Sequence, residues 1–125
     1  MPFAYDDQNI FAKILRGEIP NDTVLETEYT LAFNDIEPQA PVHVLVIPKG
    51  PYVSHDHFAS EASEAELVDF MRATAAVCRE TGVTLEEGEG FRTISNAGAH
   101  GVQEVPHFHL HILGGRSMGR MLSKD

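Results

Sequence analysis

Apolar positions change their spacing several times along the chain, and each change marks a new element. Ile10, Phe11, Ile14 and Leu15 recur at helical spacing behind Asn9, a good N-cap side chain, and Gly17 stands where a helix C′ glycine belongs. A short helix over 10–16 follows, closed by Pro20. Residues 24–27 and 30–33 read as two antiparallel strands joined by a tight turn at Glu28-Tyr29. Residues 42–47 form the most β-branched run, bracketed by the proline-bounded loop 35–41 and by Pro48-Lys49-Gly50-Pro51. This run is the expected central strand, with His43, Leu45 and Ile47 on one face and Val42, Val44 and Val46 on the other. His55, Asp56 and His57 read as a solvated surface loop.

From Ser60 the spacing becomes helical again. Ser63-Glu64-Ala65-Glu66 is a capping box, and Leu67, Phe70, Met71, Thr74, Val77 and Cys78 form the stripe of a long helix that ends before Gly82 and covers the sheet. That Met and Phe stripe is expected to be core. Residues 91–95 read as a fourth strand and 96–105 as a glycine-punctuated loop. The last strand carries His107-Phe108-His109-Leu110-His111, then Ile112, Leu113 and a Gly114-Gly115 stop. The order of elements predicts an α+β fold: an antiparallel sheet of about five strands with one long and one short helix.

A chain of 125 residues is expected to be a single domain over 1–125, burying roughly two-thirds of the surface its unfolded form exposes. The single Cys78 forms no internal disulfide and there is no Cys-x-x-Cys pair, so a reducing, cytoplasmic setting is expected. Asp6 and Asp7 precede any long apolar run, and the run at 44–47 is far too short to span a bilayer, so neither a secretory leader nor a membrane association is expected. Nine Lys and Arg against nineteen Asp and Glu give a net charge of -10, which argues against a nucleic-acid polymer as partner. A small anion would have to be held by local donors.

On a strand, side chains at alternate positions share a face, so His107, His109 and His111 are expected to point together into one pocket while Phe108, Leu110 and Ile112 point into the core. Three imidazoles in five residues fit three chemistries. They could ligate a divalent metal with His43 or His100. Each could merely satisfy a buried carbonyl. Or the central one, His109, could act as a nucleophile, oriented and served with protons by its neighbours. Upstream, 96–103 supplies glycine-freed backbone N–H groups and the amides of Asn96 and Gln103, a loop able to cradle a phosphate without lysine.

The segment from Gln103 to Gly115 resembles the histidine triad (HIT) family. Asn9-Ile10-Phe11-Ala12-Lys13-Ile14, Leu31-Ala32-Phe33-Asn34-Asp35-Ile36 and the run from Pro38 to Lys49 are similar to its Hint branch. The resemblance implies a HIT-like fold and a purine nucleoside phosphoramidase-like enzyme that cleaves at the α-phosphorus of a nucleoside 5′-phosphate derivative through a nucleotidyl-histidine intermediate. His109 matches the nucleophile, and His107, His111 and His43 its supporting histidines. Asn96, Gln103, Glu104 and Val105 fall where phosphate or leaving group is met. Asp35 falls at the ribose hydroxyls, and Ile10, Phe11, Ile14, Phe33, Ile36 and Leu45 at a purine pocket. The family implies no metal or other cofactor, a nucleotide substrate and a homodimer with a continuous sheet. Glu104 replaces a small hydroxyl residue found in some members, and Val102 a common loop glycine. A carboxylate there suits a phosphoramidate better than a dinucleoside polyphosphate, the alternative substrate. A nucleotide-binding regulatory module with incidental activity is the alternative role.

Overall fold

In the computed structural model, which describes residues 3–122, the sheet is built from Thr23–Glu26 (β1), Thr30–Asn34 (β2), Val42–Pro48 (β3), Phe91–Ile94 (β4) and Leu110–Gly114 (β5). Every pairing is antiparallel and the spatial order is β1-β2-β3-β5-β4. The most β-branched run is therefore the middle strand. Three helices accompany it: Ile10–Leu15 (α1), His55–Glu61 (α2) and Glu64–Thr81 (α3).

The alternation in β2 and β3 divides the core in two. Ala32, Val44, Val46 and Ile112 face α2 and α3, packing with Phe58, Phe70, Val77, Cys78 and Phe108. Leu31, Phe33, Leu45 and Ile47 face α1, packing with Phe11 and Ile14. Val44, Val46, Ile47 and Ile112 are wholly sequestered, each contributing roughly 1.5–3 kcal/mol of burial free energy.

Local chemistry fixes the ends of the helices. Asn9 accepts from Ala12 N at 2.9 Å to start α1. Ser63 and Glu66 close the capping box of α3, and Gly82 ends it in the left-handed region at φ +74°. Asp69 of α3 reaches the β1–β2 turn, accepting from Thr27 Oγ1 at 2.6 Å and Thr30 Oγ1 at 2.8 Å. The Gly114-Gly115 stop has a steric cause. A Cβ on Gly114 would meet Val83 at 2.6 Å, and Gly115 sits at φ +92° against Pro41.

Three expectations are corrected. Residues 55–61 are a second short helix, not a loop: Ser54 takes the N-cap position, Asp56 favours the first turn, and His57 is buried between the rings of Phe3 and Tyr52. Met71 lies off the buried stripe of α3 and is 66% exposed, because that helix packs through Phe70, Ala73, Val77 and Cys78. And β5 begins only at Leu110, so His107 and His109 precede the regular strand. Pro106 has no N–H to give to a ladder, and the backbone bends through 105–107.

Candidate active site

β3 and β5 bring their histidines to the α1 face of the sheet. Leu45 pairs with His111 and His43 with Leu113, so His43 and His111 are diagonal neighbours across the seam. His43 Nε2 and His111 Nδ1 are 2.9 Å apart. The bend before β5 places His109 beside them, its ring 5.1 Å from that of His111 and edge-on to Phe11 at 5.0 Å.

Which nitrogens hold protons follows from partners that have only one hydrogen-bonding role. The Gln39 N–H donates to His43 Nδ1 at 3.0 Å, so the proton of neutral His43 is on Nε2 and goes to His111 Nδ1. His111 then carries its own proton on Nε2. His109 Nδ1 lies 2.8 Å from the His107 carbonyl, which can only accept, so Nδ1 is protonated and Nε2 keeps its lone pair. His107 Nε2 likewise donates to the Pro48 carbonyl at 2.8 Å.

Burial keeps all four rings neutral. It is the main cause that pushes His107 and His111 down to about 4, with further lowering by neighbouring histidines. Burial lowers His109 too, opposed by its bond to the His107 carbonyl and by Asp35 and Glu104, and lowers His43, opposed by Asp35.

In front of this cluster lies a cleft of about 440 Å³. Its wall includes Ile10, Phe11, Ile14, Phe33, Asp35, Ile36, Leu45, Asn96, Glu104, Val105, His109 and His111. The sequence-derived set thus converges, with three exceptions. His43 and His107 stand behind the wall, so only two of the three triad imidazoles face the cavity; the bend at Pro106 sends His107 inward, where it is wholly buried. The Gln103 amide is consumed as a brace: its Nε2 donates to the carbonyls of Val53 and Val105, and its Oε1 accepts from Gly98 N.

Sequence reasoning missed Ile19, Pro20, Asn21 and Asp22, which line the cleft just after α1. The Pro20 turn was the available signal. Among the described residues the lining holds four carboxylates, Asp22, Asp35, Glu37 and Glu104, and no lysine or arginine.

Asp35, His43 and His111 present ligand atoms within 4.8 Å of one another, close enough for a metal ion. Their hydrogen bonds oppose it. A metal on His43 Nε2 would drive the ring proton to Nδ1, against the Gln39 N–H, and would take the His111 lone pair that His43 now occupies.

The HIT domain family model matches residues 16–118. An uncharacterised 13.2 kDa HIT-like protein of Azospirillum brasilense is 52% identical over 99% of this chain and 99% of its own length. The purine nucleoside phosphoramidase of Escherichia coli K12 is 39% identical over 94% of this chain and 95% of its own. The fold is similar to that of a histidine triad protein from Clostridium difficile, with a TM-score of 0.80 and 38% identity, covering 94% of this chain and 98% of that one.

Proposed function

Given that the chain belongs to the HIT domain family, we propose that it hydrolyses nucleoside 5′-phosphoramidates or related nucleotidyl conjugates at the α-phosphorus, releasing a nucleoside monophosphate. The observation that carries this reading is His109: a neutral imidazole, held by its Nδ1–H, that lines the cleft and keeps the Nε2 lone pair.

In the reaction that follows, Nε2 attacks phosphorus and the bond to the leaving amine breaks, the amine departing with a proton taken from solvent. Water then attacks the nucleotidyl-histidine, its proton returning to solvent as the P–N bond to His109 breaks and the monophosphate leaves. His111 Nε2–H is the ring donor available to a phosphoryl oxygen, and His43 keeps it so. Asp35 receives the ribose hydroxyls, Asn96 and the Val105 amide meet the phosphate, and Ile10, Phe33, Ile36 and Leu45 hold the base. The four carboxylates of the lining favour a substrate with one phosphate over a dinucleoside polyphosphate, whose extra negative charges would face them. The resemblance to the Hint branch supports a homodimer, and the lone buried thiol of Cys78 supports a reducing, cytoplasmic setting. Among the described residues no helix is long and apolar enough to cross a membrane.

The test is His109→Ala. Steady-state hydrolysis of adenosine 5′-phosphoramidate falls by roughly 10³-fold or more, and a labelled nucleotide that marks the wild-type protein in a single turnover no longer does so. Near-native turnover by the folded variant would overturn the assignment.

A further inference from the structure

The N-terminal segment ahead of α1 lies against the back of the histidine cluster, outside the wall of the cleft. Tyr5 Oη is 2.6 Å from His107 Nδ1, joining positions 102 residues apart in sequence. Since His107 Nε2 gives its proton to the Pro48 carbonyl, Nδ1 of the neutral ring is an acceptor and the phenol is the donor. Both ring nitrogens of a wholly buried imidazole are thereby committed. The carbonyl of that same residue holds His109 Nδ1–H at 2.8 Å. Whatever fixes residue 107 therefore fixes the aim of His109.

We propose that Tyr5 is a positioning residue for this centre: its hydroxyl locks the ring of His107, and through the 107 carbonyl it holds the His109 imidazole in line with the cleft. The inference rests on the nucleophile reading of His109.

Tyr5 is well held for such a task. Two residues before it, Phe3 stacks on His57 with ring centres 4.3 Å apart and planes within 3°. Four residues after it, Asn9 caps α1 and also donates from Nδ2 to the Asp6 carbonyl at 2.8 Å. The segment is anchored on both sides, with the phenol between. Burial raises the pKa of Tyr5, so the hydroxyl keeps the proton it donates. Tyr5 does not line the cleft and has no direct call on substrate.

Tyr5→Phe keeps the ring and its edge-on contact with His107 while removing one oxygen. With adenosine 5′-phosphoramidate as substrate and active sites counted by the nucleotidylation burst, kcat per active site falls about tenfold and KM stays within twofold. In ¹⁵N-labelled protein the His107 Nδ1 resonance moves downfield, toward that of an imine nitrogen without a donor. A kcat within twofold of wild type overturns the proposal, as does an unmoved Nδ1 resonance, or a loss explained wholly by fewer active sites. His109→Ala separates the two levels: if it is dead while Tyr5→Phe is unchanged, only the role of Tyr5 falls, whereas an active His109→Ala removes the ground for both.

Discussion

Val102 lines the cleft at φ +55°, the one residue other than glycine held at positive φ among those described. A β-branched side chain has little room there, and such a position costs about 1–3 kcal/mol. Around it the loop is wound tightly on itself, with Gly101 N, Val102 N and Gln103 N bonded back to the carbonyls of Ala97, Ala99 and Gly98. Val102→Gly relieves the strain and gives back part of the gain as unfolded-state entropy, about 0.5–1 kcal/mol. The net expectation is roughly 1 kcal/mol of added stability, read as a higher urea midpoint at unchanged m-value; a lowered midpoint would refute the strain. At this scale the chemistry was legible in the sequence and the stereochemistry was not. Three alternate histidines announce a reactive site, but the proline that turns His107 inward acts only once β5 has been placed. Tyr5 gave no sign at all, because a lone tyrosine has no pattern and its partner is at the far end of the chain.

The seam between β3 and β5 is the element on which the centre depends. The middle strand and its two faces could be read from the sequence, since Val42, Val44 and Val46 fill one face and Leu45 and Ile47 most of the other. The short helix over His55–Glu61 could not, because two histidines and an aspartate look solvated until Phe3 and Tyr52 close over one of them. A titration follows from how the seam is buried. His107 and His111 titrate at about 4 when folded and near 6.5 when unfolded, so the folded state binds fewer protons between those values. Stability is therefore complete above about pH 6.5 and declines as pH falls toward 4, His107 alone contributing a slope of about 1.4 kcal/mol per pH unit. Thermal melts at pH 4.5 to 7.5 check this. In His107→Gln the decline becomes shallower, and an unchanged slope would rule out that histidine as its source.

For the molecule as a whole, the two ends of the sheet differ. Beside β4, the exposed Phe91 and Leu85 join Ala75 of α3 around a shallow groove, with Met71 one turn further along the same helix. Solvent-facing apolar groups gathered at an open strand edge fit the homodimer proposed above. Sedimentation of the wild type is expected to give a dimer, and the pair Met71→Glu with Phe91→Glu a monomer; a wild-type monomer, or a dimer unaffected by both charges, would count against this face. The fold class followed from the order of elements. The assembly had no signature in the sequence beyond family likeness, because an exposed methionine on a helix reads like a buried one until the packing is known.

The sheet order has one more consequence. β5 leaves the ribosome after the other four strands of the described sheet, yet it lies between β3 and β4. A nascent chain stopped before residue 110 leaves the greasiest strand of the protein with a bare edge and nothing to zip it shut. Synthesis must run past β5 before the sheet can close around its middle strand. A message truncated ahead of β5 therefore makes a sticky polypeptide fit for a holdase or a protease, and not a weaker enzyme.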